Sequence, residues 1–264
     1  MYFLMPMRYR HFFMEVYMFL GLKDVANFVI QYRWLFIAII AIVCIICEII
    51  FLVKSKKNTE KKEISRGEQI RNMVSVAVFA SFSIILYLTL KFSLPIFPEF
   101  LKINFSNLPI ILGAFLLGRK NGIMIVLIRT IVVLPFSGTF FVGELADLII
   151  SLAIVLIGTY IYKKNRTKKG AIISLIVISL TWMLIASLAN RFILIPAYIK
   201  LMFGGQEEVF VSLLKVIPNI TIENYKWKYI LFAALPFNAI ISISVCFITF
   251  ITYKKLSILF HKFD

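Results

Sequence analysis

Charge is scarce in this chain. Asp, Glu, Lys and Arg make up 16% of its residues, against about 25% in average soluble domains. Only 13 residues are acidic, and 61% of the sequence is hydrophobic, with a mean hydropathy of +0.93. A soluble fold of this size could not hide so much apolar surface; lipid accepts it on the outside of the protein as well. Cysteine is equally sparse. Cys44 and Cys47 share one apolar segment and Cys246 lies in another. A CxxC pair can be redox-active or zinc-binding, but no second pair and no nearby histidine completes it, so these thiols read as apolar filler and no metal site is expected. Catalytic signatures are missing too. There is no HExxH and no GxSxG, and Gly113–Lys120 (GAFLLGRK) lacks the Lys-Ser/Thr end of a phosphate-binding loop. The chain therefore reads as a non-enzyme without an ATPase of its own. No secretory signal is expected, because the stretch from His11 to Ile30 is broken by Glu15, Lys23 and Asp24 and no small-residue cleavage site follows.

What the chain does have is lipid-length apolar segments separated by short basic runs. A transmembrane helix needs about 20 apolar residues. Trp34–Val53 is the first such span, and a polar linker, Lys54–Asn72, follows it. Six apolar segments then run over Met73–Leu90, Leu108–Gly118, Ile123–Leu134, Phe141–Tyr162, Ala171–Ile195 and Tyr229–Tyr253. The second and third are short. Pro95 and Pro98 prevent regular helix in the loop after the first, and Pro196 is expected to close the fifth. No internal repeat stands out. The expected organisation is an N-terminal extension (1–53) with one transmembrane helix, a basic linker (54–72) and a membrane domain (73–264).

The 29 basic residues give a formal net charge of +16, gathered in Lys54–Lys62, Arg119–Lys120, Lys163–Lys169 and Lys254–Lys262. Runs this short between membrane-length segments cannot form one nucleic-acid groove. They fit the positive-inside rule. Placing the linker in the cytoplasm puts the other basic runs and the C-terminus there too, and leaves residues 91–107, 135–143 and 196–228 outside. Arg8, Arg10, Lys23 and Arg33 oppose an external N-terminus, which leaves open whether residues 11–30 also enter the membrane.

Polar residues inside the apolar segments mark candidate function. An arginine at mid-bilayer costs about 2.5–3.5 kcal/mol on insertion scales, so Arg129 is expected to face a protein interior. Glu144 and Asp147 share one helical face. Asn190, Arg191 and Asn238 lie at similar depth. Arg129, Glu144, Asp147, Asn190, Arg191 and Asn238 are the expected substrate-binding set. The competing reading is interhelical ion pairs, for example Arg129 with Asp147 or Arg191 with Glu144, that only hold helices together. Ala77 and Ser81 form a small-xxx-small pair suited to close helix approach.

From about residue 70 to 264 the chain resembles the S components of energy-coupling-factor (ECF) vitamin transporters, most closely the riboflavin-specific branch. The resemblance rests on LPIFPEFLKINFSNLP, LLGRKNGIMIVLIR, VGELADLI, LANRFILIPAY and LPFNAIISISVCFITFITYKKLS, in family order. It implies an all-α integral membrane protein, a six-helix bundle in a bacterial cell membrane that captures a vitamin from outside. It also implies partners: one transmembrane coupling subunit and two cytoplasmic ATPases. The loop before Asn107, with Pro95, Phe97, Pro98 and Phe105, would cap the pocket. Asn190 and Asn238 match flavin-contacting positions, and Ala77 and Ser81 match the coupling-subunit surface. Several positions depart: Ile241 stands where the riboflavin branch has a lysine, Arg191 stands where an aromatic is common, and Glu144 and Asp147 add acidic character. The resemblance implies a small-molecule ligand, riboflavin or a related flavin, and no cofactor. Another vitamin, a non-transport scaffold or sensor, and, least supported, an enzyme built on Glu144 and Asp147 remain the alternatives.

Overall fold

The structure, a computed structural model, describes residues 66–261 except 138 and 140, with side chains as far as residue 253. The expected helix Trp34–Val53, the extension 1–53 and most of the basic linker lie outside the described residues.

Helix α1 spans Arg66–Thr89, so residues 66–72, expected in the linker, form its first two turns. Glu68 sits in its first turn, where the helix dipole favours a carboxylate. The helix stops ahead of the proline-containing loop, whose two ends pair as a short antiparallel hairpin. Here β1 (Phe92–Ser93) faces β2 (Lys102–Ile103), with Phe92 opposite Ile103.

Helices α2 (Asn107–Leu117) and α3 (Arg119–Val133) follow, separated by Gly118 alone. Gly118 has φ 85 and ψ 174, a backbone state essentially confined to glycine, and it turns the chain sharply between them. The two then pack closely: a Cβ on Gly122 would lie 2.6 Å from the Ala114 Cβ. At about 1.5 Å per residue neither helix covers a bilayer core of about 30 Å.

Helix α4 covers Val142–Lys164, with Lys163 and Lys164 in its last turn. Helix α5 covers Lys168–Met202 and is capped by Thr167, whose hydroxyl accepts from the Gly170 N–H at 3.2 Å. Sequence reasoning ends this helix at Pro196, but the structure carries it past. A π-helical stretch, Asn190–Leu194, ends two residues before Pro196, and a second, Tyr198–Met202, follows. Proline removes one backbone donor, and the wider turns re-space the carbonyls around the gap. The pattern recurs in α7, which starts at Tyr225, widens over Ile230–Ala234 just before Pro236, and continues as Leu235–His261. The segment between α5 and α7 holds a short helix, α6 (Glu207–Leu213).

The fold is thus mostly helical. Helices α1, α4, α5 and α7 are long and apolar enough to cross a membrane. Two cores organise it. One joins α4, α5 and α7 to the hairpin loop, through residues such as Phe97, Trp182, Tyr198, Tyr229 and Phe237. The other joins α1, α2, α3 and α4 through Val76, Phe79, Ile110, Ile125 and Val155. Outward faces stay apolar: Val74, Val78, Phe82 and Ile85 on α1 are all exposed, as a lipid or protein neighbour requires.

Candidate functional site

The six expected site residues fall into separate groups. The first group is a polar knot in the α1–α4 half. Arg129 on α3 is fully buried and forms an ion pair with Asp147 on α4. Its guanidinium also donates to the Ser151 hydroxyl at 2.7 Å and the Ser106 hydroxyl at 3.2 Å. Ser151 donates onward to the Asn107 side-chain oxygen at 2.7 Å, and Ser83 on α1 donates to the Ser106 carbonyl at 2.6 Å. The knot therefore ties four helices to the point where the hairpin loop enters α2. A buried cation needs this degree of pairing, since desolvation without it costs several kcal/mol.

Glu144 lies one turn from Asp147 and is buried, but it meets hydroxyls and not Arg191. It accepts from Tyr87 at 2.8 Å, Ser137 at 2.6 Å and Thr139 at 3.0 Å. The Lys91 ammonium lies 3.5 Å from the centroid of the Tyr87 ring. Burial holds Lys91 below the ordinary lysine range, with Glu144 and Asp147 acting against that shift.

The second group joins α5 to α7 around two buried asparagines. Asn190 uses one amide N–H on the Ala186 carbonyl at 2.8 Å, and its oxygen accepts from the Tyr229 hydroxyl at 2.8 Å. Asn238 repeats the arrangement in reverse: its N–H reaches the Ala234 carbonyl at 2.8 Å, and its oxygen accepts from the Trp182 indole at 3.2 Å. An amide has two N–H donors and two acceptor lone pairs. Each asparagine therefore keeps one donor and one acceptor beyond these bonds. Ile241 follows Asn238 by about one turn and is buried in the same core.

The loop lies over this second group. Phe97 is buried and meets Phe237 edge-on with centroids 5.4 Å apart. Phe100 sits 5.7 Å from Tyr198, 5.8 Å from Phe210 and 5.9 Å from Tyr229, centroid to centroid. Of the loop residues singled out in the sequence, Phe97 and Pro98 are buried, Phe105 is partly buried and Pro95 is exposed.

Arg191 stands apart from both groups. It is half-buried at the rim of a cavity between α5, α6 and the start of α7, with its guanidinium 5.8 Å from the Trp227 ring centroid. Ala77 and Ser81 are both exposed on α1, on a face away from either group.

Sequence reasoning missed Trp182, Tyr198, Tyr229 and Phe100. A signal existed for one of them: Trp182, Ala186 and Asn190 follow one another at four-residue spacing, which places them on one helix face.

Comparison with known proteins gives a consistent answer. The family model described as "ECF transporter, substrate-specific component" matches residues 71–253. The riboflavin transporter RibU of Staphylococcus aureus is 24% identical over 190 residues, covering 72% of this chain and 92% of its own length. The riboflavin transporter FmnP of Bacillus subtilis is 28% identical over 133 residues, 49% of this chain and 70% of FmnP. A solved structure described as the S component of a bacterial ECF transporter superposes with a TM-score of 0.55 at 22% identity, covering 72% of this chain and 98% of that one.

Proposed function

This chain belongs to the family of ECF-transporter substrate-specific components, and on that premise we propose that it captures riboflavin or a closely related flavin. Curated relatives matched over most of their length are riboflavin transporters. The observation that carries the reading is the reciprocal asparagine pair under the loop: Trp182 to Asn238 and Tyr229 to Asn190, with Phe97 and Phe100 above. A flavin ring system offers flat apolar area and, along one edge, alternating carbonyl and N–H groups. Aromatic walls suit the first, and the spare donor and acceptor on each asparagine suit the second.

In this reading the loop at 91–106 closes over the ligand. Asn190 and Asn238 hold it, while Arg129, Glu144 and Asp147 hold the helices and the root of the loop rather than the ligand. The six apolar helices α1–α5 and α7 form the bundle, with the linker and C-terminus cytoplasmic and the loop outside. The exposed Ala77/Ser81 face of α1 docks a transmembrane coupling subunit, and two cytoplasmic ATPases supply the energy. The host is a bacterial cell membrane, and no cofactor takes part.

The test is a fluorescence titration of the detergent-purified full chain. Riboflavin emission should be quenched stoichiometrically at submicromolar concentration. A chain that leaves riboflavin unquenched but is stabilised against heat by another B vitamin reassigns the substrate within the same family.

A further inference from the structure

The rim cavity at Arg191 belongs to neither polar group. It holds about 810 Å³ and is lined by Arg191, Lys200, Lys226, Glu207 and Tyr225, with Gly204 and Gly205 at its edge. That volume is within the range of small-molecule sites, about 300–1,000 Å³. Among the described lining residues the cations Arg191, Lys200 and Lys226 outnumber the carboxylate Glu207, and Arg191 and Lys226 alone exceed its charge. Glu207 offsets only part of that charge, and its contact with Lys226 is loose, 3.8 Å between groups that are each well exposed. A second observation points to a ligand. Tyr225 is 1% exposed, and its hydroxyl lies beside Glu207 but makes no well-formed hydrogen bond among the described residues. A buried hydroxyl without a well-formed bond is costly, and a ligand oxygen in the cavity would supply one.

From this the geometry points to an anion site for a phosphate ester. Arg191 sits at the rim with a planar fork that matches phosphate oxygens, Lys200 and Lys226 add point charge, and Tyr225 donates from the wall. The resemblance and the flavin reading give this cavity no role, and Arg191 is adjacent in sequence to Asn190. Two sources present the same chemistry: a phosphorylated flavin whose ring lies under the loop, or the phosphate of a lipid headgroup at the membrane surface. The first source rests on the flavin reading proposed above; the second does not.

The experiment uses the full chain in nanodiscs, wild type against Arg191→Gln and Lys226→Gln. One arm measures the affinity ratio of flavin mononucleotide to riboflavin in neutral phosphatidylcholine discs. The other counts phosphatidylglycerol molecules retained by the protein in native mass spectrometry. A fall of tenfold or more in the flavin mononucleotide to riboflavin ratio in the variants supports the site with a soluble ligand. Loss of retained phosphatidylglycerol at an unchanged ratio supports it with a lipid. If neither changes, or if both flavins weaken together without lipid loss, the phosphate site is overturned. Failure of riboflavin itself to bind the wild type overturns the flavin reading while the lipid arm still decides the site.

Discussion

Trp182 on α5 donates its indole N–H to the side-chain oxygen of Asn238 on α7 at 3.2 Å. This bond crosses between the two helices that widen into π-helical turns before a proline. Widened turns are common at functional sites because they shift side chains out of the regular helical register. Here they place Asn190 and Asn238 on facing surfaces with their bonding capacity only partly used.

On the proposed reading, replacing Asn238 with alanine removes a ligand hydrogen bond, and it leaves the Trp182 indole without its partner. A net hydrogen bond is worth about 0.5–1.5 kcal/mol, and about 1.4 kcal/mol is tenfold in affinity. Riboflavin affinity, read by fluorescence titration, should fall about tenfold in Asn238→Ala and by a similar amount in Asn190→Ala. Preserved affinity in both would remove the asparagines from the pocket.

The Arg129–Asp147 pair makes the opposite forecast. Arg129→Ala strands the Asp147 carboxylate and breaks the bonds to Ser106 and Ser151. Removing one partner of a buried pair costs about 3–5 kcal/mol, so the thermal midpoint in detergent should drop strongly. The double variant Arg129→Met/Asp147→Leu should regain much of the loss, because no charge is left unpaired. A pair that instead binds ligand would show the double variant stable but unable to bind.

Gly122 packs α3 onto α2, and Gly122→Ala would drive a methyl into Ala114. Overpacking of this kind costs about 1–3 kcal/mol. The expected result is a lowered thermal midpoint with flavin affinity little changed, since the contact belongs to the other half of the bundle. Gly118→Ala should be costly through its backbone geometry rather than through contacts.

These elements differ in how far the sequence announced them. Arg129 was legible because one charge in an apolar run stands out, and its partner Asp147 was among the pairings the sequence allowed. Arg191 was equally visible, yet its surroundings depend on how the segment after α5 folds back, which no periodicity encodes. Trp182 and Tyr229 were hidden because the chain carries 26 Phe, 11 Tyr and 3 Trp, so an aromatic residue is no signal by itself. Pro196 announced a lost backbone bond but not that α5 would absorb it and continue to Met202. The strand pair β1–β2 is two residues long on each side, too short for alternation to register.

On the proposed reading, the exposed Ala77/Ser81 face separates capture from transport. Ala77 is exposed among the described residues, so Ala77→Trp should leave riboflavin binding and thermal stability within about twofold and a degree or two of the parent. Uptake in cells that supply the coupling subunit and ATPases should fall sharply, because close helix approach depends on small residues. Unchanged uptake would move the docking surface elsewhere on α1.

Phe100 tests the loop. Its ring touches Tyr198, Phe210 and Tyr229, so it pins the loop to α5, α6 and α7 at one point. Burying an aromatic side chain contributes about 1.5–3 kcal/mol, and Phe100→Ala forfeits part of that only when the loop is closed. The closed state then becomes less populated while the helical bundle beneath it is untouched. Stopped-flow dissociation of riboflavin should accelerate by tenfold or more, with the association rate changed far less, since affinity differences within one complex lie mostly in dissociation. Equal acceleration of association and dissociation would mean that the loop guards the entrance without holding the ligand. The same variant made together with Asn238→Ala should be less than additive if the loop closes by packing on a ligand that Asn238 has already oriented.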